Sequence, residues 1–216
     1  MIERAAYINR TLGTLTRSDL ARYRTTAQLL LPDLRRLRAE PDVTQHALRF
    51  ARASFAAGDP AQARRWLASL EREGAPAVVP FDLALLEAID LMSGGDDSPA
   101  SQKAIADRLV SGASTPEQQM QVAKLLSLWT GLGYSYGPAA RALLAELPID
   151  TDRLAPAERL QIAASADAGA VAETALRVLI AQQRYGDGLS RADTALYLRA
   201  LRQIGATDIA ADMALE

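Results

Sequence analysis

Apolar residues recur along the chain at three- and four-residue intervals, in one alanine- and leucine-rich stretch after another. This interval places apolar side chains on one face of an α-helix. The two-residue alternation that indicates a β-strand is missing, and the nearest candidate, residues 77–81, is too short to found a sheet. The pattern therefore predicts an all-α protein.

Helix start signals divide this pattern into consecutive segments. Several pairs have capping-box spacing, in which a side chain accepts a hydrogen bond from a free backbone N–H and a second side chain answers it. These pairs are Asp42 with Gln45, Thr115 with Gln118, and Ser190 with Asp193. Prolines stand at further segment starts, where a helix loses nothing by their missing N–H. The predicted helices are 2–12, 18–39, 43–57, 60–72, 81–93, 99–111, 116–130, 138–147, 156–166, 170–184, 191–204 and 206–216.

Glycines mark the turns between these segments at a regular interval. Gly58, Gly94, Gly131, Gly169 and Gly205 lie 36, 37, 38 and 36 residues apart. A helix pair of this length cannot bury its apolar stripes alone, so neighbouring pairs are expected to stack. We predict an α-α superhelix (solenoid), right-handed, of about five to six stacked helical hairpins over residues 41–216. An ordinary helical bundle is the alternative.

The predicted hairpin around Gly58 has further repeat-like residues besides the turn glycine. Large and small residues flank the turn at Gly58 at the spacing that lets two helices approach closely. They are Phe50, Ala51, Ala63, Leu67 and Leu70. In this segment, 47–70, the chain resembles a tetratricopeptide (TPR) repeat, and the last unit, with Gly205, Ala210 and Ala214, matches in part. The resemblance implies a TPR-like superhelix with a concave peptide-binding face, and other helical-repeat classes stay open.

Residues 1–40 follow a different pattern. Apolar residues alternate three- and four-residue steps, as the a and d positions of a coiled coil do. They are Leu20, Tyr23, Ala27, Leu30, Leu34 and Leu37. Pro32 falls inside this row and would kink the helix. We expect N-terminal helices that cap the array, with a bent helix packed on the first repeat; homodimerisation through residues 18–39 is the alternative.

Charge is divided unevenly along a chain whose total is nearly balanced. The 216 residues carry 24 basic and 26 acidic groups, a net charge of −2. Residues 1–75 contribute +5 and residues 76–216 contribute −7. Arginines of the basic part are candidates for binding an acidic partner. They are Arg49, Arg52, Arg64 and Arg65. Because acids are interspersed among them, we favour solvated helix faces and do not expect a nucleic-acid partner.

An aromatic cluster is the other candidate contact surface. Trp129, Tyr134 and Tyr136 place three of the chain's eleven aromatic residues within eight positions. Tyrosine and tryptophan are enriched among the residues that dominate binding energy at interfaces. We therefore predict partner binding by these three residues, with filling of the core as the alternative.

Residue types that support catalysis are scarce. The chain has no cysteine, which excludes disulfides, thiolate metal sites and a cysteine nucleophile. The only histidine, His46, has no evident nucleophile and is expected at the surface. Asp96 and Asp97 stand where a turn is needed and lack the further oxygen ligands of a calcium loop. We expect no catalytic residue, no metal and no cofactor.

These expectations favour a non-catalytic interaction or scaffold module, bacterial and soluble, that binds a protein or peptide. The alternatives are a helical region of a larger enzyme, such as a lytic transglycosylase, and a nucleic-acid-binding helical repeat. No apolar stretch approaches the length of a membrane span. We expect a cytoplasmic location, or a periplasmic one if the chain is part of a longer protein, as its uncapped last predicted helix suggests.

Overall fold

The computed structural model describes residues 2–14, 20–73, 80–148, 150, 153–185 and 189–210. This part of the chain is all-helical and contains no strand, which confirms the predicted all-α class. The helices are α1 (Ile2–Gly13), α2 (Leu20–Arg36), α3 (Pro41–Thr44), α4 (Ala47–Ala56), α5 (Pro60–Glu73), α6 (Pro80–Met92), α7 (Pro99–Gly112), α8 (Pro116–Leu132), α9 (Pro138–Glu146), α10 (Pro156–Asp167), α11 (Val171–Tyr185) and α12 (Arg191–Gln203). Residues 207–210 are helical as well, and the remainder of the last predicted helix lies outside the described residues.

In the part of the chain that the structure describes, no helix combines the length and the apolar character that a bilayer span requires.

One of the three predicted capping pairs is complete, and a second is present in one direction. Thr115 accepts from the Gln118 N–H and the Gln118 side chain returns the bond, which completes a capping box. Ser190 accepts from the Asp193 N–H at 3.0 Å. The prediction for Asp42 is wrong: Pro41 occupies the first helical position of α3, so Asp42 lies inside the first turn rather than before it.

The predicted helix 43–57 is also interrupted. Residues 45 and 46 form a turn between α3 and α4, and His46 has φ −105° and ψ 2°, outside helical values. The short helix α3 therefore ends where the sequence pattern predicted continuation.

The chain divides into two compact units, Met1–Ser93 and Gly94–Glu216. In unit 1, α4 lies at the centre and packs against α2, α5 and α6. Ile8 of α1 and Leu34 of α2 are fully buried in the same core as Phe50 and Trp66. The N-terminal helices thus share a core with residues 41–93, and the division falls after Ser93 rather than after residue 40.

Helices α4 and α5 form the hairpin that the sequence predicted around Gly58. Gly58 has a φ of +80°, a left-handed conformation that glycine adopts without steric cost. Ala51 and Ala63 are fully buried, and the rings of Phe50 and Trp66 meet edge to face at 5.2 Å. Small residues therefore bring the two helices together while two aromatic rings fill the space between them.

In unit 2, the prediction of Gly131 as a turn residue is wrong. It lies inside α8, and the left-handed turn residue is Gly133, with a φ of +78°. A Cβ atom on Gly131 would stand 2.7 Å from the Leu198 Cβ and 2.8 Å from the Ala195 carbonyl oxygen of α12. Gly131 is therefore needed for a close helix contact, not for a turn.

The α8–α12 pair is the most extensive helix contact of unit 2, although three helices separate the two in sequence. A strictly one-dimensional array restricts each hairpin to contacts with adjacent hairpins. Unit 2 thus contains a long-range helix pair that the regular glycine spacing did not predict.

Candidate interaction surfaces

Two of the four candidate arginines bond to neighbouring helices of unit 1. Arg49 donates to the Asn9 carbonyl oxygen of α1 at 3.0 Å. Arg65 donates to the Leu37 carbonyl oxygen at 3.3 Å, just beyond the end of α2. A guanidinium there satisfies a carbonyl that the helix leaves without a partner. Both arginines therefore join elements of the unit.

The other two candidate arginines, Arg64 and Arg52, have different surroundings. Arg64 forms an ion pair with Asp90 of α6 at 2.6 Å and also donates to the Ser93 carbonyl oxygen. Arg52 is exposed on α4 and lies near Tyr23, whose pKa is raised by burial, an effect that Arg52 and Arg49 oppose. The four arginines thus do not converge on one site, since three of them bond to different elements.

The aromatic cluster is divided between core and surface. Trp129 is fully buried and meets the Tyr134 ring edge to face at 5.8 Å, so it belongs to the core of unit 2. Tyr134 and Tyr136 are half-buried. The Tyr136 hydroxyl bonds to the Thr130 hydroxyl at 2.8 Å. Of the three predicted contact residues, only these two tyrosines present surface to a partner.

Gln102 of α7 fixes the loop that carries the two tyrosines. Its side-chain oxygen accepts from the Ser135 N–H at 2.6 Å, and its nitrogen donates to the Asp97 carbonyl oxygen at 2.6 Å. Partial burial raises the pKa of Tyr134, and the Asp97 charge adds to this shift. Both effects make the Tyr134 phenol harder to ionise than an ordinary tyrosine.

The predicted coiled-coil row of α2 is used within unit 1. Ala27, Leu34 and Leu37 are buried, and Tyr23 and Leu30 pack partly buried against the same core. The side chain of Leu20 lies outside the described residues. This row therefore faces its own unit, as the bent-helix interpretation expects, and is covered in the structure.

The residues considered as candidates for catalysis or metal binding take part in packing and turn contacts. The His46 ring packs edge-on against Phe50, and partial burial together with Arg49 lowers the pKa of His46. Asp96 accepts from the Ser98 N–H at 3.1 Å in the turn before α7. In the ranges described, no group of three histidine, aspartate or glutamate side chains could hold a metal ion.

The carboxylate of Asp193, which the sequence analysis considered only as a capping partner of Ser190, lies buried between α10 and α12. Asp193 is fully buried and accepts from the Arg153 N–H at 3.0 Å, with the Arg159 guanidinium 3.0 Å from its other oxygen. Burial raises the pKa of the neighbouring Tyr197, and the Asp193 charge raises it further. A paired carboxylate beside a protonated phenol holds the segment before α10 against α12.

Helix α11 carries the most prominent exposed apolar surface. Thr174, Val178 and Ala181 are buried on one face. On the opposite face Leu176, Leu179 and Ile180 are 58%, 65% and 47% exposed, and we name these three residues the α11 stripe. Ala172 and Gln183 continue the stripe toward the two ends of the helix. The helix is therefore apolar on two faces, of which the unit covers one.

Charged residues line one flank of the α11 stripe. Glu173 accepts two hydrogen bonds from Arg177, both through Oε1, and Arg177 also donates to Gln161 of α10. Arg184 pairs with Glu158 of α10 at 2.7 Å. The flank thus has an acidic residue near the start of α11, a basic residue near its end, and between them Arg177, which bonds to Glu173 and Gln161 of its own chain.

Sequence reasoning missed the α11 stripe. The helix was predicted with a single buried face, as the others were. The signal was present, because Leu176, Leu179 and Ile180 are apolar in addition to the buried Val178 and Ala181, and one helix face cannot hold all five.

No family model matches the chain, and the comparisons with curated proteins and with solved structures find no similar protein.

Proposed function

We propose that this chain is a non-catalytic interaction or scaffold module that binds a protein or peptide on a helical surface. The α11 stripe is the observation that carries the proposal. Soluble proteins rarely expose contiguous apolar surface beyond a few hundred Å² unless it takes part in binding. Three large aliphatic side chains lie together on one face of one helix, each about half exposed or more.

Tyr134 and Tyr136 supply a second contact surface in this proposal. They are half-buried on a loop that Gln102 holds in place. Aromatic side chains on a rigid support lose little conformational entropy when they bind.

The unit 1 arginines do not favour the nucleic-acid alternative. Arg49, Arg64 and Arg65 already bond to other elements of their own unit. A surface that binds phosphates needs cationic groups that converge and remain accessible.

The finer architecture, one TPR-like superhelix of about five to six stacked hairpins, belongs to the same proposal. Its support is the recurrence of left-handed glycines at Gly58, Gly94, Gly133, Gly169 and Gly205, which lie 36, 39, 36 and 36 residues apart. Small-angle X-ray scattering tests it, because a compact chain of this length has a radius of gyration of about 17 Å. A superhelix gives a clearly larger radius of gyration. A monomer with a radius of gyration of about 17 Å would contradict the superhelix.

Affinity capture from cells of the source organism, followed by mass spectrometry, tests the binding role. The wild-type chain is compared with the double variant Leu176→Gln, Leu179→Gln. Leu29→Gln is the matched control, because Leu29 of α2 is 76% exposed but lies in unit 1. We expect specific proteins to be recovered with the wild type and the control and lost with the double variant. Equal recovery with all three chains would overturn the proposal for this surface.

A further inference from the structure

We propose that the α11 stripe binds the α11 stripe of a second copy of this chain, with the two helices antiparallel about a two-fold axis. This inference rests on the proposed function and names the partner for one surface.

The apolar side chains have the arrangement that a pair of helices requires. Leu179 and Ile180 follow Leu176 by three and four residues, so all three side chains lie along one side of α11. The helix has 15 residues and is about 22 Å long, enough for four turns of contact. Small or uncharged residues, Ala172 and Gln183, extend the stripe at both ends and allow close approach.

The charges on the flank indicate a second copy rather than an unrelated partner. Arg184 follows Glu173 by eleven residues, about three helical turns, so both lie on the same side of the stripe. In an antiparallel two-fold pair, each flank meets the same flank of the copy in reverse order. Glu173 of each chain therefore faces Arg184 of the other, and two-fold symmetry forms this pair twice.

A parallel pair would lose this complementarity. It would set the charged flank against the opposite side of the stripe, where Ala175 and Gln182 are uncharged. The midpoint between Glu173 and Arg184 falls between Val178 and Leu179, at the middle of the stripe. The axis that pairs the charges is thus the one that packs the leucines together.

Contacts within the chain leave these charges available. Both bonds from Arg177 to Glu173 end on Oε1, and the Glu173 side chain is 54% exposed. Arg184 uses one nitrogen for Glu158, and its side chain is 57% exposed. A guanidinium has five N–H donors, so Arg184 can bond to Glu158 and to Glu173 of the copy together.

Charge reversal tests the inference by sedimentation velocity. Glu173→Arg and Arg184→Glu each place like charges together twice, and we expect each to raise the dimer dissociation constant about tenfold. An equimolar mixture of the two variants restores both opposite-charge pairs across the interface. We therefore expect the mixture to form a heterodimer as tight as the wild-type dimer.

The mixture separates an interface from a folding defect, because a misfolded chain is not rescued by another variant. A second variant removes the apolar contact: Leu176→Asp should yield a monomer, whereas Leu29→Asp should remain dimeric. A wild-type chain that sediments as a monomer at every concentration reached, or a mixture no tighter than either single variant, overturns the second-copy inference. If the stripe variant then still loses captured proteins, the proposed function stands without it.

Discussion

At the residue scale, two neighbouring glycines of α8 have different physical roles. Gly133 adopts a left-handed backbone conformation, and Gly131 leaves room for α12. The sequence spacing selected Gly131 as the turn residue because both glycines fit a period near 37 residues. The backbone angle and the approach of α12 are three-dimensional facts, and no local pattern distinguishes the two positions.

Gly131→Ala tests the close approach of α8 and α12. An alanine in a helix normally stabilises it by about 1 kcal/mol relative to glycine. Here the added Cβ meets the Leu198 Cβ and the Ala195 carbonyl oxygen, so we expect the free energy of unfolding to fall by about 1–3 kcal/mol. Urea denaturation followed by tryptophan fluorescence measures the change. Stability equal to or above wild type would show that the helices are farther apart.

Asp150 gives unit 2 a pH-dependent contribution to stability. The Arg191 side chain and N–H both bond to its carboxylate, and despite partial burial they lower the pKa of Asp150 below its ordinary value of 3.8. Because the pKa is lower in the folded chain than in the unfolded chain, ionised Asp150 stabilises the fold. This stabilisation is fully present above the ordinary value of 3.8 and is lost as the pH falls through the folded-state pKa.

Asp150→Asn cannot titrate, so the variant should unfold at a lower temperature than wild type at pH 7. We expect the gap between the two melting temperatures to close as the pH falls below 3.8. Thermal unfolding of both proteins between neutral and acid pH measures it. A gap that stays constant over this range would show that the ionised form of Asp150 contributes nothing.

At the element scale, helix positions were readable because their signals are local. Thr115 with Gln118 and Pro116 predicted the start of α8, and the capping box is present. Asp42 had the same spacing to Gln45, but the helix begins at Pro41, two residues before the predicted start at residue 43. The exposed face of α11 could not be assigned, because a helix that is apolar on two faces does not reveal which face the fold covers.

Two leucines of α2 test which side of that helix faces the core. Leu34 is fully buried and Leu29 is 76% exposed. We expect Leu34→Ala to lower the free energy of unfolding by about 2–5 kcal/mol. Leu29→Ala should change it by less than about 0.5 kcal/mol. Equal effects of the two substitutions in urea denaturation would contradict packing of the α2 row within unit 1.

At the scale of the whole molecule, the helical class and most helix positions followed from composition, periodicity and caps. The division after Ser93 and the α8–α12 contact did not, because they depend on contacts between residues distant in sequence. The candidate surface shows the same limit. Trp129 had the residue type of a contact site and is buried, whereas the leucines of α11 had the residue type of a core and are exposed.

Site-specific cross-linking tests most directly that the α11 stripe is the contact surface. The chain has no cysteine, so Leu179→Cys introduces a single thiol at the middle of the stripe and Leu29→Cys introduces one on exposed α2. With a short bismaleimide, we predict rapid formation of a covalent dimer by Leu179→Cys and little by Leu29→Cys. Equal, slow cross-linking of both variants would contradict contact between copies through α11.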